Sequence, residues 1–143
     1  ARWGNRSNYA ALNVVPGGPE EMSTYTTPFR RFTLRLDGFA SVHAGADPGG
    51  MRTRALKFLG DSLMLNYATS AGGSLRVEIQ DLEGKPIPGF TMGECRSLVG
   101  DAIEQRVSWS GHKPLADLAG RPIRLQFAMQ EADLYALRFG SKA

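Results

Sequence analysis

The side chains able to do acid–base work come in two close pairs, Asp81/Glu83 in "DLEG" and Asp101/Glu104 in "GDAIE". Two carboxylates hydrolyse a glycosidic bond only when they face each other across a cleft. A spacing of two or three residues beside a turn does not create that geometry, and acidic residues at turns cap the backbone or meet solvent. His43 and His112 stand far apart in the chain, and neither has a carboxylate-rich neighbourhood. Cys95 is the single cysteine. One thiol forms no internal disulfide and no cysteine-based zinc site, and it would act as a nucleophile only with one of the two histidines beside it. The chain has no G-x-S-x-G, no H-E-x-x-H and no G-x-x-x-x-G-K-[ST]. The loops "HAGADPGG" and "VGDAIE" lack the alternating oxygen ligands of a calcium loop. We therefore expect no catalytic residue, no metal and no cofactor.

Binding chemistry is the alternative. Sugars present apolar C–H faces, so a glycan surface combines an exposed aromatic ring with polar groups that reach the hydroxyls. Trp109 in "RVSWSGHKP" stands at the end of a strand and before a glycine-bearing loop. It is the expected stacking platform, with Asn66, Arg106 and His112 as polar contacts. Trp109 also shares a strand face with Val107, which would put its ring in the core instead. Trp3, Tyr9 and Tyr25 are expected to pack against a neighbouring element, and Tyr67 and Tyr135 to face inward.

These residues must be held by strands. "RRFTLRL", "SLMLNYA", "SLRVEIQ", "IRLQFAM" and "DLYALRF" all alternate with period two. The alternation puts Phe32, Leu34 and Leu36 on one face, and likewise Leu63, Leu65 and Tyr67. It also groups Leu75, Val77 and Ile79; Ile123, Leu125, Phe127 and Met129; and Tyr135, Leu137 and Phe139. Their partners Asn66, Glu78, Gln80 and Leu134 are expected on the opposite face. One buried and one wet face marks antiparallel sheets. Turn residues separate the runs at 36–39, 46–50, 59–62, 70–74 and 81–89. "PLADLAG" at 114–120 predicts one short helical turn ended by Gly120. Short strands at this spacing predict an all-β, antiparallel two-sheet β-sandwich, jelly-roll-like in type.

The chain has 143 residues, 42% of them hydrophobic, which suits one cored domain. Its net charge is +3, but the arginines are scattered and no Lys/Arg run exceeds Arg30-Arg31. A nucleic-acid surface clusters its charge, so no nucleic-acid partner is expected. No apolar run approaches the roughly 20 residues of a membrane helix. The opening "ARWGNRSNYAALNVV" has neither an initiating Met nor a signal peptide, and reads as a segment cut from something longer. Residues 1–28 differ in character from the rest, with two strand-like stretches around a Pro-Gly turn. We place a soft boundary near Pro28, with a strand pair at 1–28 and the sandwich at 29–143.

Four segments carry a family resemblance. "DGFASVHAG" (37–45), "LMLNYATSAGGSLRVEIQDLEGKPIPGF" (63–90), "GDAIEQRVSWSG" (100–111) and "LAGRPIRLQFAMQEADLYALRF" (118–139) together cover most of the chain. They resemble the C-terminal β-sandwich of bacterial glycoside-hydrolase-like proteins whose preceding part is similar to the five-bladed propeller of glycoside hydrolase family 32. The resemblance implies that residues 1–28 are the last strand pair of such a propeller. It also implies that the catalytic propeller of the parent enzyme is a partner, and that the setting is extracellular or periplasmic. The family's catalytic carboxylates lie in the propeller, so none is carried over here. The resemblance allows a carbohydrate-binding module for a polysaccharide or oligosaccharide, or a structural accessory domain that binds no sugar.

Overall fold

The computed structural model describes residues 10–26 and 29–141. Over these residues the fold is all-β, with two antiparallel sheets, of the β-sandwich class. The alternation in the sequence dictates this result: strands with one apolar face pair into antiparallel sheets that gather those faces on one side. The only helical element among the described residues is a single 3₁₀ turn at Leu115–Leu118, followed by Gly120 at φ 75°.

The chain forms two compact units, residues 1–40 and 41–143. In the first, β1 (Val15–Pro16), β2 (Glu21–Thr26) and β3 (Arg30–Arg35) form one sheet in that order. The segment "RRFTLR" is thus the third strand of the N-terminal unit, paired from Glu21↔Arg35 to Thr26↔Arg30. Phe32 in it is 44% exposed and Leu34 is half-buried. Arg31 donates to the buried Ser23 hydroxyl at 2.9 Å and pairs with Glu21. Tyr25 is exposed. Trp3, Tyr9 and Pro28 lie outside the described residues.

The second unit is a five-stranded sheet. It comprises β4 (Val42–Ala44), β5 (Gly49–Arg52), β6 (Ser62–Gln80), β7 (Asp101–Arg106) and β8 (Arg124–Gly140). The strand β8 is central: one edge takes β4 and then β5, the other takes β6, and β6 carries β7 on its far side. The core is the expected one over most of its length. Leu63, Leu65, Tyr67, Leu75, Val77, Ile79, Ile123, Leu125, Phe127 and Met129 are all buried. Phe58 stacks on Phe139 with ring centroids 4.1 Å apart.

Two expectations need correcting. The "SAGGS" segment does not reverse the chain. The runs on either side of it form one 19-residue strand, with residues 70–73 inserted opposite the single residue Glu131. Glycine makes this insertion feasible. A Cβ at Gly73 would fall 2.5 Å from the Glu131 carbonyl oxygen, so the strands meet there only without a side chain. The insertion also shifts the inward parity of β8, so Leu134 is buried while Tyr135 is only half-buried. A second irregularity between Asn66 and Tyr67 returns the parity to Leu137 and Phe139.

The other correction concerns Asn66, Glu78 and Gln80, which were expected on the wet face and are buried. Loop 81–94 covers that face of β6, so the carboxylate of Glu78 accepts from Gln80 Nε2 at 2.8 Å and from Met92 N at 2.9 Å. Hydrogen bonding makes the burial of the Glu78 carboxylate tolerable, whereas Gln80 Oε1 is buried without a partner among the described residues.

Candidate functional site

The four residues read as glycan contacts fall in different environments. Trp109 is half-buried and packs on the core. Its indole Nε1 donates to the Val77 carbonyl at 2.9 Å, and its ring meets Phe90 edge-on at 5.4 Å. Asn66 is 4% exposed. Arg106 and His112 are exposed, with His112 at φ 53° in the turn after Trp109. Arg106 alone among the four lines one of the two clefts described next.

The first cleft, of about 400 Å³, is lined by His43, Gly45, Ala68, Thr69, Ser70, Glu131 and Asp133. Three segments distant in the chain build it: β4, the insertion in β6, and the middle of β8. Pairing of β4 with β8 sets His43 opposite Asp133. His43 Nδ1 donates to Asp133 Oδ1 at 3.1 Å, and the Ser41 hydroxyl donates to the same oxygen at 2.7 Å. A carboxylate only accepts, so Nδ1 carries the proton in this bond. Ser70 donates to a Glu131 carboxylate oxygen. Both the histidine and the aspartate remain accessible, with side chains 63% and 32% exposed.

Glu131 is the unusual residue in this cleft. Its φ of 43° lies in the left-handed region that a side chain adopts at a cost. The conformation is imposed from both edges of β8. Glu131 N donates to the Gly45 carbonyl at 2.7 Å on one edge, and the 70–73 insertion faces it on the other. Strain of this kind in a non-glycine residue often accompanies a functional site.

The cleft is built for holding hydroxyls. Two carboxylates supply acceptors and Ser70 a hydroxyl, while the Thr69 hydroxyl is already engaged, donating to the Ser70 carbonyl and accepting from Gly100 N. It lacks a nucleophilic arrangement: Ser41 bonds to the aspartate rather than to the histidine it would need as base. Glu131 and Asp133 stand two residues apart on one strand. Of the carboxylate pairs noted in the sequence, Asp81 accepts from Lys85 N at 2.8 Å, closing its turn, and Glu104 pairs with Arg138. Among the described residues no three His, Cys, Asp or Glu side chains are grouped to hold a metal.

The second cleft, of about 240 Å³, lies beside Tyr67. Its wall carries Arg96, Ser97, Gln105, Arg106 and Ser108. Tyr67 is 3% exposed, and its hydroxyl donates to the Val99 carbonyl at 3.4 Å. Burial, and secondly the charge of Asp101, push its phenol above the ordinary range. Behind this wall Cys95 is buried, and burial pushes its thiol up, away from the reactive thiolate.

Sequence reasoning missed His43 and Asp133 as a pair because 90 positions separate them. The only local signal was the "EAD" at 131–133, two acids interrupting an apolar run. Comparison of the chain with family models, curated proteins and solved structures gives no match.

Proposed function

We propose that this chain is a non-catalytic, carbohydrate-binding-module-like β-sandwich, associated with a polysaccharide-degrading enzyme that acts outside the bacterial cytoplasm. The glycan is held by hydrogen bonds in the His43–Glu131–Asp133 cleft, not by stacking on Trp109. One observation carries this reading: Glu131, Asp133, His43 and Ser70 converge from three distant segments on one open cleft. The family resemblance of the four sequence segments points the same way. Binding rather than reaction suits the residues, because no nucleophile–base pair and no opposed carboxylates occur in the cleft.

The test is affinity gel electrophoresis on cellulose, xylan, β-glucan and fructan, followed by calorimetry on any ligand found. At least one glycan should retard the wild type. Asp133→Ala and Glu131→Gln should each weaken it about tenfold, the loss expected for one hydrogen bond to a charged group. Failure of every glycan to retard the wild type would sink the proposal.

The rival reading is an accessory domain that supports a propeller. The apolar exposure of the N-terminal unit favours it: Leu12 is 92%, Phe29 98% and Phe32 44% exposed. Such residues are seats for a neighbouring element. Deleting residues 41–143, the whole second unit, from the parent protein distinguishes the two. Lost thermal stability with unchanged polysaccharide affinity supports the accessory role.

A further inference from the structure

We infer that the cleft between Arg96 and Arg106 is an oxyanion site that takes the carboxylate or sulfate group of its ligand. This inference stands apart from the glycan reading of the His43 cleft, since it uses other residues on another cleft. Geometry places the two arginines together. Cys95 stands opposite Trp109, and Arg96 N donates to the Ser108 carbonyl at 2.9 Å. Arg106 lies two residues back along the strand from Ser108, on the same face. Diagonal neighbours of this kind across an antiparallel pair are about 7–8 Å apart, within reach of two long side chains converging on one group. Both arginines are exposed and both line the cleft.

Among the described residues neither arginine makes an ion pair, whereas Arg31 pairs with Glu21 and Arg138 with Glu104. The charge of Asp101 nevertheless reaches Tyr67 in the same wall. The hydrogen bond Arg106 makes runs from Nη2 to the Asp61 carbonyl and is long, at 3.4 Å. Two cations sharing one concavity repel each other, and a bound anion relieves that repulsion. Guanidinium forks match carboxylate and sulfate oxygens two at a time. Gln105, Ser97 and Ser108 add neutral donors around the same space. The cleft, at about 240 Å³, accommodates one acidic group with part of its sugar ring.

The full chain at low ionic strength is titrated with sodium sulfate, with a galacturonic acid trimer and with a neutral galactose trimer. Arginine side-chain NMR signals and calorimetry report the binding. Sulfate and the uronate should both shift the Arg96 and Arg106 signals, while the neutral trimer leaves them in place. Arg96→Gln and Arg106→Gln should each weaken uronate binding about tenfold, and added salt should weaken the wild type. Arg106→Lys should keep part of the affinity, as a point charge without the fork. Uronate binding tighter than sulfate assigns an acid-bearing saccharide as the ligand; equal binding assigns a free anion. The Arg96 and Arg106 signals report this cleft alone, since neither residue lines the His43 cleft. The inference is overturned if neither anion moves the two arginine signals, or if both Gln variants melt like the wild type and bind the uronate equally well.

Discussion

The Trp109 indole Nε1 donates to the Val77 carbonyl at 2.9 Å, across 32 positions of sequence. This bond, together with the edge-on contact with Phe90, fastens the segment after β7 onto the C-terminal end of β6. The ring is therefore part of the framework. Trp109→Ala should destabilise the protein by about 2–3 kcal/mol, below the usual loss for a fully buried aromatic because the ring is half-buried. Trp109→Phe keeps most of the packing but leaves the Val77 carbonyl without its donor, at a cost of about 1–3 kcal/mol. Urea denaturation measures both. Glycan affinity of the folded Trp109→Phe variant should equal that of the wild type, and a large loss would restore the ring as a platform.

Glu131 should show opposing effects on stability and binding. At φ 43° a glycine sits without the Cβ strain, so Glu131→Gly should cost nothing or stabilise by about 1 kcal/mol despite losing the Ser70 bond. The same change removes a carboxylate from the cleft, so glycan affinity should fall about tenfold. Thermal melting and calorimetry on one sample decide the matter. A clear destabilisation would mean that the carboxylate, and not the backbone, sets this bend.

The strands were legible because their alternation is driven by burial on one face, as in Leu75, Val77 and Ile79. What misled was the double glycine at 72–73. Gly-Gly between apolar runs signals a reversal, but it equally permits the close strand approach found here, and only the partner strand decides between them. Parity beyond the insertion was lost for the same reason, which put Leu134 on the wrong face. Trp109 was legible as a strand-end aromatic, while its bond to Val77 was not. The cleft itself was illegible: His43 meets Asp133 through strand pairing, and no spacing within one segment encodes that contact.

Gly73 offers a direct test of the insertion. Its absent Cβ would meet the carbonyl oxygens of Glu131 and Gln130 at 2.5 and 2.8 Å, both backbone atoms that cannot step aside. Gly73→Ala should therefore lower stability by about 2 kcal/mol or more, as overpacking does at a tight backbone contact. Gly72, whose Cβ would meet nothing closer than the Glu131 carboxylate at 3.8 Å, should accept Ala with little change. Equal melting temperatures for the two variants would refute the tight approach of the strands at this point.

Alkaline pH should probe the second cleft and the core behind it. Burial raises the phenol of Tyr67 and the thiol of Cys95 above their ordinary values. A raised acid holds its proton in the folded chain at a pH where the unfolded chain has already released it. The unfolded state then binds fewer protons, so stability falls as pH rises. The loss begins near the ordinary thiol value of about 8.5, steepens past the ordinary phenol value of about 10, and ends once the folded groups ionise. Below about pH 8 both contributions are fully present. Urea denaturation between pH 7 and pH 11 should show this decline in the wild type. Tyr67→Phe and Cys95→Ala should each flatten it, the first mainly above pH 10 and the second from about 8.5. If the double variant declined as steeply as the wild type, other groups would be the ones titrating.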